Sequence, residues 1–76
     1  MLKIRLLKMG RKALPIYRIV VMDSRKRRDG AYIELVGTYN PIKKDVRIDK
    51  EIYSKYISNG AQPTEVVERL FKSYGN

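Results

Sequence analysis

Neither cysteine nor histidine occurs in this 76-residue chain. Without cysteine there is no disulfide framework, and without both residues carboxylates are the only charged metal ligands left. Long apolar runs are missing too, since no uncharged stretch approaches the roughly 20 residues needed to span a bilayer. Lys3, Arg5 and Lys8 interrupt the apolar N-terminal stretch where a signal peptide needs its hydrophobic centre. No Ser- and Arg-rich leader is evident, so the working segment is expected to begin at Met1. Repeats, linkers and low-complexity tracts are also absent. The length suits one small domain over residues 1–76. A chain this short buries only about 60% of its unfolded surface. With neither disulfide nor metal to help, a partner is the remaining route to robustness.

Acidic residues are scarce in one part of the chain only. Residues 1–28 hold ten Lys and Arg against the single acid Asp23, whereas residues 29–76 hold seven of each sign. The net charge of +9 therefore sits in the first 28 residues. Charge serving only solubility is interspersed in sign. This asymmetry points to a basic face aimed at a polyanion. The basic segment alternates like a strand and forms no amphipathic helix, which favours nucleic acid over a membrane surface.

Leu2, Ile4 and Leu6 alternate with Lys3 and Arg5, the pattern of a half-buried strand with a basic outer face. Leu7 breaks that alternation, which predicts that the strand twists or ends near Lys8. Gly10-Arg11-Lys12 reads as a basic turn closed by Pro15. Ile16 to Met22 is β-branched and apolar apart from Arg18, as in a central strand. A polar loop from Asp23 to Gly30 follows, with Asp29-Gly30 as its turn signal. Tyr32 to Tyr39 reads as a third strand, with Ile33, Leu35, Gly37 and Tyr39 on one face and Tyr32, Glu34, Val36 and Thr38 on the other. Asn40-Pro41 ends it. After a Lys43-Lys44-Asp45 turn, Val46-Arg47-Ile48 is a short fourth strand. Asp49 is placed to cap a helix over 50–58, and Gly60 to stop it. Pro63 is expected at the first position of a second helix. Ile52, Tyr53, Tyr56 and Ile57 make one apolar stripe, and Val66, Val67, Leu70, Phe71 and Tyr74 the other. The expected fold class is α+β: a small mixed sheet of four to five strands with two C-terminal helices packed on it.

The run Arg25-Lys26-Arg27-Arg28, preceded by Ser24, is the sharpest chemical feature. Four adjacent cations repel one another until an anion neutralises them, and Arg forks match phosphate oxygens. The loop has no apolar anchor, so it is expected to be completed by the ligand. Gly10-Arg11-Lys12 carries a weaker signal, its glycine permitting close approach of backbone N–H groups to phosphate. Lys3, Arg5 and Arg18 complete the phosphate contacts. Tyr17 and Tyr39 offer rings for stacking a base or ribose, or equally a wet edge of the core. Thr38, Asn40 and Lys43 form a second set beside Tyr39. A metal-dependent nuclease would need Asp23, Asp29 and Glu34 to hold its ion. No His-Glu-x-x-His spacing or Gly-x-x-x-x-Gly-Lys loop supports catalysis, so no catalytic or metal-binding residue is assigned. Turn capping and pairing with Arg account for Asp23 and Asp29.

Seven segments follow one another along the chain: Lys3-Ile4-Arg5-Leu6, Met9-Gly10-Arg11-Lys12, Pro15-Ile16-Tyr17-Arg18-Ile19-Val20-Val21, Asp23-Ser24-Arg25, Arg28-Asp29-Gly30, Gly37-Thr38-Tyr39-Asn40-Pro41 and Gly60-Ala61-Gln62-Pro63-Thr64. In this order they resemble the bacterial-type ribosomal protein sixteen family of the small subunit. The resemblance spans nearly the whole chain; residues 50–58 follow the family only loosely, and many members carry a tail beyond the stretch matched here. It implies an α+β domain on a mixed sheet that binds small-subunit rRNA, in its 5′ and neighbouring regions, during assembly. It implies RNA contact through the N-terminal strands and loops, neighbouring small-subunit proteins as further partners, no cofactor, no membrane and no homo-oligomer. The implied location is a ribosome of the bacterial type, in a bacterial cytoplasm, a plastid or a mitochondrion.

Overall fold

The structure, a computed structural model, describes residues 1–11, 14–23, 25 and 32–75. Lys12, Ser24, Lys26, Arg27, Arg28 and the Asp29-Gly30 turn lie outside the described residues. A long antiparallel hairpin opens the chain, with β1 over Leu2–Arg11 and β2 over Leu14–Asp23. Its register runs from Leu2 opposite Asp23 to Arg11 opposite Leu14. The strand end expected near Lys8 is not there, and Gly10 and Arg11 belong to β1 and not to a turn. The alternation holds through Leu7, which takes the face of Lys3 and Arg5 and so does not break the strand. Pro15 also lies within the ladder, opposite Gly10. There β2 has not yet begun its pairing with β3, which starts at Tyr17, and such an edge position tolerates a residue without an N–H.

β3 (Glu34–Asn40), β4 (Asp45–Ile48) and β5 (Gln62–Pro63) complete a five-stranded sheet in the order β4-β3-β2-β1-β5. All pairings are antiparallel except β1 with β5, so the sheet is mixed as expected. Two helices, α1 (Lys50–Ser58) and α2 (Glu65–Gly75), follow β4 and β5 respectively. The fold is α+β.

The two faces of the sheet follow from the ladder, because directly opposed residues share a face. Ile4, Ile19, Val21, Val36 and Ile48 meet Tyr53 of α1, Ala61 and Val67 of α2 in one apolar core. Each fully buried Ile or Val there is worth about 1.5–3 kcal/mol of transfer free energy. Tyr53 and Phe71 join the helices through a stack with ring centroids 3.9 Å apart. Ile57 and Val66, expected in the apolar stripes, are exposed. The expected faces of the third strand need correction. The β2–β3 register shifts between Ile19 and Val20, so Val36 is an extra residue between Leu35 and Gly37. This bulge brings Val36 into the core beside Gly37, and separates Leu35 from Gly37 and Tyr39.

Local chemistry sets the helix ends. Asp49 Oδ1 accepts from the N–H groups of Glu51 at 3.0 Å and Ile52 at 3.2 Å. After α1, the N–H of Gly60 donates to Ile57 O and that of Ala61 to Tyr56 O, with Gly60 at φ +93°. That pair of bonds and the positive φ make a glycine C-terminal cap. Pro63 is not the first residue of α2. It sits in β5, and Thr64 caps the helix, its Oγ1 accepting from Val67 N–H at 3.4 Å. The N–H of Thr64 donates to Ile4 O at 2.9 Å, which holds the helix start against β1.

Candidate nucleic-acid interface

Alternation along the hairpin divides the expected contact residues between the two faces. Lys3 opposes Met22, Arg5 opposes Val20, and Leu7 opposes Arg18, all on the face turned away from the helices. Arg18 is in turn opposite Thr38 on β3. Lys3 and Arg5 are exposed and Arg18 is half-buried. Tyr32 lies in the segment leading to β3, and its hydroxyl accepts from Arg18 Nη1 at 3.4 Å. That bond restrains a long side chain that would otherwise lose about 2 kcal/mol of rotamer entropy on binding.

The helix side of the sheet holds a second group. Lys8 opposes Tyr17, Tyr17 opposes Tyr39, and Tyr39 opposes Val46, which makes one row across four strands. Ring centroids of Tyr17 and Tyr39 are 6.1 Å apart at 30°. Both rings are half-buried and Lys8 is exposed. The neighbouring row, Leu6-Ile19-Gly37-Ile48, already belongs to the core, so the tyrosines form its end.

Asn40 and Lys43 have local work. Asn40 Oδ1 accepts from the N–H groups of Ile42 at 3.1 Å and Lys43 at 3.2 Å, which shapes the turn into β4. Lys44 completes that turn at φ 53°. Lys43 is exposed beside it. Arg25 is exposed, and its N–H donates to Asp23 Oδ1 at 2.9 Å. Asp23 also lies 3.7 Å from the N-terminal amine, consistent with turn capping. Glu34 faces Val21 in the β2–β3 ladder, and Asp29 is outside the described residues.

Two cations escaped the sequence reading. Lys8 is aligned with Tyr17 once β1 is carried past Leu7. Arg47 is opposite Thr38 and thus on the face of Arg18. Continuous alternation was the available signal for Lys8; Arg47 needed the β3–β4 register. Lys3 and Arg5 also line a groove of about 350 Å³ with Leu6, Thr64 and Val66, where β5 stops and α2 begins.

The sequence profile of the family described as ribosomal protein S16 matches residues 8–64. The chain belongs to the ribosomal protein S16 family. Relatives named small ribosomal subunit protein bS16 match it along nearly its full length. The protein of Mycoplasma capricolum is 55% identical over 75 residues, covering 99% of this chain and 69% of its own. That of Clostridium novyi is 56% identical over 75 residues, covering 96% and 88%. That of Thermotoga neapolitana is 54% identical over 76 residues, covering 99% and 80%. Within the S16 match fall Tyr17, Arg18, Tyr39 and Arg47; Lys3 and Arg5 lie before it and are reached by the alignments to the longer relatives.

Proposed function

We propose that this chain is a structural constituent of the small ribosomal subunit that binds and stabilises small-subunit rRNA during assembly and translation. Family membership supports this, and so does the placement of Lys3, Arg5, Lys8 and Arg18 on one paired hairpin. That placement is the observation that carries the reading. Phosphate contacts supply affinity and register. The S16 family is structural and not enzymatic. Its bacterial-type relatives support a ribosomal location, with rRNA and neighbouring ribosomal proteins as partners. Among the described residues, no helix is long and apolar enough to cross a membrane.

In this reading Lys3, Arg5, Arg11, Lys12, Arg18 and Arg25 to Arg28 neutralise phosphates. Tyr17 and Tyr39 offer ring surface, Ser24, Thr38, Asn40 and Lys43 are further contacts, and Gly10 permits close approach. One copy acts per subunit, as a single domain. Chemical footprinting of small-subunit rRNA with and without the protein tests the reading. Protection of a defined set of riboses and co-sedimentation with small subunits are the expected results. RNA cleavage in Mg²⁺, or binding that never enters the subunit, would refute it.

A further inference from the structure

The basic residues of the hairpin belong to a wider surface. The ladder carries the face of Lys3, Arg5 and Arg18 onto β3 and β4, through Thr38 to Arg47. Leu35, opposite Val20, is on the same face, and Ile16 is two residues along β2 from Arg18. Ile16 is 42% exposed and Leu35 41%, whereas Val20 and Met22, opposite Arg5 and Lys3, are buried, so the apolar surface open on this face is that of Ile16 and Leu35. Both helices pack on the other face. Among the described residues of these strands the face carries one carboxylate, Asp45, whose Oδ2 lies 3.4 Å from Arg47 Nε. Four cations against one paired acid favour a polyanion. Apolar patches between them suit the sugar surface of RNA, which a purely ionic site would leave unused.

We propose that RNA docks across the exposed side chains of this face, so that Arg47 on β4 and Leu35 and Ile16 contact it together with Lys3, Arg5 and Arg18. The proposal rests on the RNA-binding reading above and extends it beyond the basic N-terminal segment. From β1 to β4 the face spans three strand spacings, about 14 Å. It is broad enough to meet a ribose–phosphate surface and not a single strand edge. Arg18 stands at its centre, held by Tyr32, with Arg5 and Arg47 towards opposite edges.

The test measures affinity of the full chain for naked small-subunit rRNA across a salt series, with thermal melting as a check on folding. The variants are Arg47→Gln, Leu35→Ser and Arg18→Gln, with Lys55→Gln on α1 as control. Arg47→Gln is expected to weaken binding roughly fivefold to tenfold and to flatten the salt slope by about 1, as Arg18→Gln does. Leu35→Ser is expected to weaken binding severalfold with its salt slope unchanged. Lys55→Gln should change little. If Arg18→Gln loses affinity while Arg47→Gln and Leu35→Ser bind normally, the wide face is wrong and the RNA reading stands. If none of the three matters, both fail. If Arg47→Gln and Leu35→Ser bind naked rRNA normally but do not enter small subunits, a neighbouring protein covers the face and the proposal is overturned.

Discussion

Tyr17 and Arg18 are adjacent in β2 and stand on opposite faces of the sheet, Tyr17 between Lys8 and Tyr39, Arg18 between Leu7 and Thr38. The two should therefore fail differently. Arg18→Gln removes a cation and should flatten the dependence of log K on log salt by about 1. Tyr17→Leu should weaken binding by removing ring surface and leave the slope alone. Titrations of both variants over one salt range separate them, and identical slopes would show that the two faces do not act separately.

Position should outweigh total charge. Arg27→Glu with Arg28→Glu, and Lys50→Glu with Lys55→Glu, lower the net charge equally. The first pair lies in the basic segment and the second on α1. We expect a far larger loss of RNA affinity from the first. For the unaltered protein, about six engaged phosphates give a slope of roughly −4 to −5. Equal losses from the two pairs, or a slope near zero, would remove the electrostatic account.

Gly37 is required by the approach of β4. A Cβ built there would clash with the backbone carbonyl of Arg47, and backbone cannot swing aside as a side chain can. Gly37→Ala should cost about 1–3 kcal/mol, the range for overpacking, and lower the melting temperature by several degrees. An unchanged melt would mean that β4 moves away at little cost.

Burial of Tyr53 raises its pKa above the usual 10.0, and the nearby charge of Glu68 adds to the shift. Below that value both folded and unfolded chains keep the proton, and the contribution is complete. As pH rises further, the unfolded chain loses the proton first, so stability falls until the folded phenol also titrates. Tyr53→Phe should therefore show a shallower loss of melting temperature above pH about 10. Parallel curves for the two proteins would count against this origin.

Signals confined to a few neighbouring residues were legible in the sequence. Asp49 and Gly60 bracket α1 with capping chemistry that involves only their own turns, and the expected 50–58 is the observed Lys50–Ser58. Misreadings came where a partner strand decides. Gly10 and Pro15 look like turn residues alone, yet they oppose each other inside the hairpin. Pro63 has the look of a helix start, but β1 recruits it into β5. Val36 changes face through a bulge that exists only in the β2–β3 pairing. The candidate site divides similarly. Lys3, Arg5 and Arg18 followed from charge and alternation, whereas Arg47 joined them only through Thr38, a relation between three strands.

The pairing of β5 with β1 has a consequence for how the protein comes into being. Lys3 and Ile4 meet Gln62 and Pro63, and Ile4 shares its burial with Val67. A ribosome makes β1 well before these partners. During synthesis the hairpin can form from contacts close in sequence, but Ile4 stays wet and the outer edge of β1 unpaired until residues 62–67 have emerged. Long-range contacts of this kind slow folding, and an unpaired strand edge invites pairing with other chains. The growing polypeptide thus carries its basic N-terminal segment before it has a closed core, and the arrival of β5 and α2 decides whether it becomes a folded protein or a sticky one.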